Sequence, residues 1–409
     1  MTNSLFPIQA GFIPLNDAAI LIIARECGFA QEEGIDLRLQ KETSWATLRD
    51  KLAIGLFDVA HILASIPVAA SCNLFPLPLD VVVPMSLGLG GNMITLSRAI
   101  WERHLGPAET GDFSAGQAGK NVSSIIRIRQ QLGLAKLKFG AVHPFSSHNY
   151  ELRYWLAGCG IDPEADVDIV FLPPSTMPDA LRSGAIDGYC VGEPWNSSAI
   201  LDGEGLLLTT KSHIWQSSPE KVLAVRTNFA KEQQQAHFAL LRALYKAALW
   251  IEDAANLTAL CDILSAHDYL GKPGDYLAAG FSGEIRTGYS KTPTIHIPDF
   301  YLSVSRAALY PWNSHALWFY SQMVRWGHAP FSDTLIAKVR KTFSPALLKQ
   351  ALTPLGISLP VAEEKPEGSF SHAIALPGTA GEITFGPDQF FDGRIFDPDD
   401  LTGYLAKQK

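Results

Sequence analysis

Charged side chains are scarce in this chain: 18% of its 409 residues are Asp, Glu, Lys or Arg, against about 25% in ordinary soluble proteins. Basic residues are the scarcer sign, 33 against 41 acidic, and the net charge of -8 argues against broad attraction to nucleic acid or anionic membrane. An anion is then expected only at a local site. No apolar run approaches the ~20 residues of a spanning helix; the densest, 18–24, is followed at once by Arg25 and Glu26. The opening MTNSLFP has neither a basic region nor a long apolar one, so no export signal is read and a cytoplasmic location is expected. Cysteine is sparse and odd in number: Cys27, Cys72, Cys159, Cys190 and Cys261 form no C-x-x-C pair and read as reduced, mostly buried thiols. Without a secretory route the sequons at Asn121, Asn196 and Asn256 carry little weight.

What is present is enough apolar material, 47% of residues, for two or three globular units. Short β-branched runs alternate with helical stretches through the first two thirds, the pattern of parallel sheets with crossover helices. Strands are predicted at 8–14, 35–40, 58–63 and 79–84, with helices near 17–33, 44–54 and 65–73. A second set follows, with strands at 138–142, 168–172, 186–191 and 206–209 and helices near 147–158, 175–183 and 194–202. After Lys231 helices dominate, beginning with Phe238, Leu241, Leu244 or Tyr245, Ala248 and Ile251 at helical spacing. This C-terminal part is expected to pack onto the first lobe, and 355–389, rich in Pro, Gly and Ser, to form a long irregular wrap. The expected division is 1–90 for the first part of lobe I, 91–210 for lobe II, and 211–409 for the return to lobe I with a helical extension and the wrap.

Two α/β lobes joined by crossing segments leave a cleft, and open sheets of this kind bind ligands where strands end and helices begin. Polar junctions occur there at Asn16-Asp17, Thr43-Ser44-Trp45, Ser146-Ser147-His148 and Gly192-Glu193-Pro194. Free backbone N–H groups and the helix dipole suit such junctions to anions.

Eight short motifs occur in order: GFIPLND at 11–17, SWATLRD at 44–50, DVAH at 58–61, HNYELRYW at 148–155, GEPWN at 192–196, PEKVL at 219–223, MVRWG at 323–327 and FDGRIFD at 391–397. In them the chain resembles the nitrate- and bicarbonate-binding proteins of bacterial ABC transporters, the NrtA/CmpA group, and especially their soluble relatives, the NasS-type nitrate/nitrite sensors. The resemblance implies a two-lobed α/β fold of the periplasmic-binding-protein type (type II), with nitrate in the interlobe cleft. By resemblance the anion's partners fall on Trp45, Asn92, His148, Gly192 and Lys221, Asn92 standing where the transporter group has a longer Gln.

The chemistry of those residues agrees with that role. Nitrate is planar, singly charged and acceptor-only, and each of the five can donate: an indole N–H, an amide NH₂, a ring N–H, a main-chain N–H and an ammonium. The expected pocket therefore offers only donors and a single positive charge, with Trp45 and Asn92 on one side and His148 and Gly192 on the other. Bicarbonate would favour an added carboxylate acceptor, for which Glu193 is the nearest candidate, unless it caps the helix opened by Pro194. Taken singly, Trp45 reads as a packed aromatic, His148 as a capping or surface residue and Lys221 as a solvated loop charge; taken jointly they read as a site.

The resulting expectation is a binding protein that performs no chemistry, needs no cofactor or metal, and contacts neither membrane nor nucleic acid directly. By resemblance it is a cytoplasmic sensor that sequesters an RNA-binding antiterminator of the NasT type and releases it on binding nitrate or nitrite. The alternatives are the substrate-binding component of a nitrate or bicarbonate ABC transporter, and an enzyme of the same fold acting on a sulfur or nitrogen compound. Cys27 is the nearest nucleophile for the latter, but it lies late in the first predicted helix. His143 and His148 lack a third ligand for a metal, and the glycines at 88–91 read as a crossing strand rather than a phosphate loop.

Overall fold

The predicted alternation of strands and helices resolves into two five-stranded sheets in the computed structural model, which describes residues 5–408. In chain order the strands are β1 (Phe6–Phe12), β2 (Ile35–Lys41), β3 (Val59–Leu63), β4 (Val81–Ser86), the short β5 (Leu89–Gly90), β6 (Asn92–Ser97), β7 (Leu137–Ala141), β8 (Val167–Phe171), β9 (Gly188–Gly192), β10 (Gly205–Thr210) and β11 (Lys221–Arg226). One sheet has the order β2-β1-β3-β11-β4 and the other β10-β6-β9-β7-β8. The fold is the expected two-lobed, periplasmic-binding-protein-like α/β arrangement, with each sheet carrying helices that bury its apolar strands.

Each lobe includes one strand outside the predicted set, β11 in the first and β6 in the second. Both run antiparallel to their neighbours. Each enters its sheet directly from an interlobe crossing rather than after a helix, so the strand–helix rhythm does not announce it. The predicted helix at 17–33 is divided: Gly28, at φ +79°, separates Ala19–Glu26 from Phe29–Glu32.

The chain leaves the first lobe through residues 87–91 and returns through 211–220. These segments lie side by side, Leu87 N donating to Lys221 O at 2.8 Å and Gly90 N to Ser218 O at 2.9 Å. The first crossing needs glycine. Gly88, Gly90 and Gly91 all have positive φ, and a Cβ on Gly90 would sit 2.2 Å from Phe300 O.

The C-terminal third corrects two expectations. Helix Gln234–Glu252 does bury Leu241, Leu244, Ala248 and Ile251 against the first lobe, but helix Asn313–Arg325 packs on Ser65–Ser71 in one lobe and Ser147–Gly158 in the other. Farther on, Tyr154 Oη donates to Asp392 Oδ1 (2.9 Å) and Phe390 stacks on Trp215, ring centroids 4.6 Å apart. The extension thus clasps both lobes, because its aromatic residues find apolar surface on each. Residues 355–389 are not wholly irregular, since they hold the antiparallel hairpin Ile374–Gly378 and Gly381–Phe385.

Candidate anion site

Four helix or strand starts and one strand end deliver the five candidate residues to the boundary between the lobes. Trp45 opens helix Trp45–Ala53, whose N-cap Ser44 accepts from Thr47 N at 3.1 Å. His148 is second in helix Ser147–Gly158, capped by Ser146 Oγ, which accepts from Asn149 N at 3.0 Å. Asn92 begins β6 and Lys221 begins β11, each where a crossing segment ends. Gly192 closes β9, directly opposite Asn92 in the ladder. Asn92 therefore belongs with His148 and Gly192 in the second lobe, facing Trp45 and Lys221 in the first. This corrects the expected pairing of Asn92 with Trp45: as the first residue of β6, Asn92 is fixed to the second sheet.

These residues converge. Lys221 Nζ lies 5.6 Å from the centre of the Trp45 ring. His148 Nε2 is 3.2 Å from Asn92 Oδ1, and a Cβ added to Gly192 would come within 3.2 Å of the same oxygen. Lys221 is completely buried, not a solvated loop charge. Two buried ring nitrogens, Trp45 Nε1 and His148 Nδ1, have no hydrogen-bond partner among the described residues.

The expected all-donor pocket is also corrected: a carboxylate stands at its centre. Glu220 Oε1 accepts from Lys221 Nζ (2.7 Å) and Ser147 Oγ (2.7 Å) and lies 3.2 Å from His148 Nε2. Its Oε2 accepts from Asn92 Nδ2 (2.7 Å) and Lys211 Nζ (2.6 Å). Two further carboxylates complete the cluster. Asp17 Oδ2 is 3.0 Å from Lys221 Nζ, and its Oδ1 accepts from His61 Nε2 at 2.7 Å. Glu151 Oε1 is 2.6 Å from Lys211 Nζ. Charged residues are almost never fully buried unless paired, and here each ammonium is held between two carboxylates.

The protonation states follow from these contacts. Burial disfavours charge on Lys221, but Asp17 and Glu220 outweigh it and raise its pKa. Burial likewise opposes charge on Glu220, and the Lys211 and Lys221 ammonium groups overcome it, holding the carboxyl well below its usual range. Asp17 is lowered in the same way, burial being outweighed by Lys221 and His61. Glu151 behaves oppositely: burial, with Glu220 adding repulsion against the help of Lys211, pushes it up to about 7. His148 is driven down to about 3, chiefly by burial, and is neutral. Its Nε2 faces two acceptor oxygens, so Nε2 carries the ring hydrogen and Nδ1 is an acceptor.

Asp17, His61, Glu151 and Glu220 lie in the eight motifs and Ser147 in a polar junction, but the resemblance gives none of them a role, and Lys211 lies in no motif. The available signal was the pair of charges at the two ends of the second crossing, Lys211 and Glu220-Lys221, beside apolar strands. Glu193 takes its capping role, accepting from Ser197 N (3.1 Å) and Ser197 Oγ (3.0 Å). His143 is held apart, accepting from Phe145 N at 3.0 Å and packing on Phe75 and Phe145. Cys27 sits at the C-terminal end of helix Ala19–Glu26, its thiol pushed up by burial and by Glu26.

The surrounding contacts close the lobes over this cluster. Asn16 N donates to Glu193 O (2.8 Å), Trp195 Nε1 to Pro14 O (3.1 Å) and Ser65 Oγ to Phe145 O (2.5 Å), each bond running from one lobe to the other. A small solute reaches Lys221 only if the lobes part.

Residues 5–265 match the NMT1-like family. The nitrate import ATP-binding protein NrtC of Synechocystis is 32% identical over 402 residues, 98% of this chain, and the chain spans 55% of that relative's length. The nitrate/nitrite binding protein NrtA of Synechococcus elongatus is 31% identical over 409 residues, covering 97% of this chain and 85% of the relative. The crystal structure of the periplasmic nitrate-binding protein NrtA from Synechocystis matches with a TM-score of 0.85 at 27% identity, over 99% of each chain. From the shared architecture and this extent of identity, the chain belongs to the NMT1-like family, in its group of nitrate- and bicarbonate-binding proteins.

Proposed function

We propose that this protein binds nitrate, and nitrite also, between its lobes, through Trp45, Asn92, His148, Gly192 and Lys221, and does no chemistry on it. The observation that carries the reading is the convergence of Asn92, His148 and Lys221 on one planar O–C–O group, the carboxylate of Glu220. Donors arranged around such a group suit other small planar oxyanions, of which nitrate, nitrite and bicarbonate are examples. Trp45 Nε1, buried and without a partner among the described residues, adds a further donor beside Lys221. A hydrogen bond to a charged group contributes ~1.5–3 kcal/mol, so several support micromolar binding after an association cost of ~4–15 kcal/mol.

In this reading binding is the function. The anion favours the closed arrangement of the lobes, and an RNA-binding antiterminator of the NasT type, met in the cytoplasm, prefers the open one. Linkage then requires the regulator to weaken nitrate binding by the factor by which nitrate weakens the regulator. Resemblance to NasS-type sensors is what supports this role. A second reading, the binding component of a nitrate or bicarbonate importer, is favoured by the names of the NrtA relatives. Calorimetric titration with nitrate, nitrite, bicarbonate and an alkanesulfonate tests the ligand. Co-purification with the antiterminator, with and without nitrate, tests the role: a complex that nitrate dissolves is expected, and no complex in either condition discards the sensor.

A further inference from the structure

The residues that would hold an external anion already hold an internal one. Five donors meet the two oxygens of Glu220: Lys221 Nζ, Ser147 Oγ and the His148 ring at Oε1, Asn92 Nδ2 and Lys211 Nζ at Oε2. A carboxylate offers about four lone-pair sites, so its accepting capacity is fully used. We propose that Glu220 is a built-in competitor for the ligand, and that an external oxyanion binds only when its carboxylate leaves these donors. This rests on the reading of the cluster as the anion site.

The charge balance makes the exchange necessary. The groups facing Glu220 are His148 and Glu151 from the second lobe, Lys211 and Lys221 at the ends of the returning crossing, and beyond Lys221 the Asp17–His61 pair of the first lobe. Three carboxylates stand against two ammonium groups, and both histidines are neutral. With Glu151 protonated the cluster sums to zero. Another anion would then be an uncompensated charge in a buried site, which is strongly disfavoured. If Glu220 takes up a proton as its side chain leaves these donors, the same two ammonium groups become free to hold a ligand of similar shape and equal charge.

The backbone does not have to move for this. Glu220 O accepts from Ala64 N at 2.9 Å, which anchors the main chain while the side-chain torsions remain available. Two consequences follow. Affinity for the external anion rises as pH falls, because binding is linked to proton uptake by the displaced carboxyl. The site also selects small planar monoanions, since an occupant must fit donors already set around a carboxylate.

The test compares wild type with Glu220→Ala and with Glu220→Gln, which keeps the volume if the alanine variant does not fold. Nitrate is titrated calorimetrically from pH 5.5 to 8.5, and thermal stability is followed with sodium formate against sodium chloride. Both variants are expected to bind nitrate at least tenfold more tightly than wild type at pH 8 with a shallower pH dependence, and formate is expected to raise the melting temperature of Glu220→Ala but not of wild type. Wild type binding nitrate as tightly as the variants at every pH overturns the proposal and leaves the nitrate reading standing. Formate stabilising Glu220→Ala while no form binds nitrate retains the competitor and discards nitrate as the ligand. If neither anion binds any form, both fall.

Discussion

Lys221 Nζ lies 3.0 Å from Asp17 Oδ2, joining the start of β11 to the 3-10 turn Asn16–Ala18 that follows β1. This ammonium neutralises Asp17 and Glu220 together, at buried positions. Lys221→Met removes it and leaves Asp17 with the His61 ring alone and Glu220 with Lys211 as its one ammonium. The expected loss is about 3–5 kcal/mol of stability with loss of nitrate binding, measured by urea denaturation and calorimetry; a stability change under about 1 kcal/mol would show that the pairs are not structural.

Trp45 Nε1 has no hydrogen-bond partner among the described residues. Replacing the indole by the ring of Phe keeps an aromatic wall near Lys221 and deletes a donor the fold does not use. Nitrate affinity is expected to fall about tenfold, equivalent to ~1.4 kcal/mol and close to one hydrogen bond to a charged acceptor. Unchanged affinity in Trp45→Phe would remove Trp45 from the set of ligands.

Glu151 has a folded-state pKa of about 7, above its ordinary value of 4.5. The folded chain therefore holds this proton where the unfolded chain has released it, and the contribution to stability declines as pH rises from about 4.5 to about 7. The stability of wild type relative to Glu151→Gln should fall across that window by on the order of 3 kcal/mol. Urea titrations at pH 5 and pH 7.5 measure it, and a pH-independent difference would contradict the raised pKa.

Ser146 does not face the anion but caps the helix that presents His148. Ser146→Ala is expected to cost about 1 kcal/mol. Looser placement of the ring should weaken nitrate binding without changing which anions bind. A shift in selectivity would mean that Ser146 touches the ligand.

Phe390 bridges from the C-terminal wrap to Trp215 and Tyr154. Truncating it to Ala should destabilise the protein by about 3–5 kcal/mol, read from denaturation midpoints. A neutral effect would show that the wrap does not clasp the second lobe.

The legible part of this molecule was local. Ser44 and Ser146 stand as N-caps where the junctions predicted helix starts, and the helix at 147–158 has the bounds read from its periodicity. The strands missed, β6 and β11, are those whose neighbours in the sheet are far away in the chain, so no local alternation with a helix marks them. The same limit hid the wrap's hold on the second lobe, where Tyr154 meets Asp392 across 238 residues of chain.

The order of short polar junctions and apolar runs by itself determined two α/β lobes, and resemblance to the nitrate-binding proteins brought five donors into consideration as one site. Only the tertiary structure decided that Glu220 stands among them. Asn92 and Glu220 are separated by 128 residues, and hydrophobic periodicity records which face of an element is buried, not which charged groups meet once it is. That meeting depends on where two crossing segments end, and it sets the balance of charge against which any anion must bind.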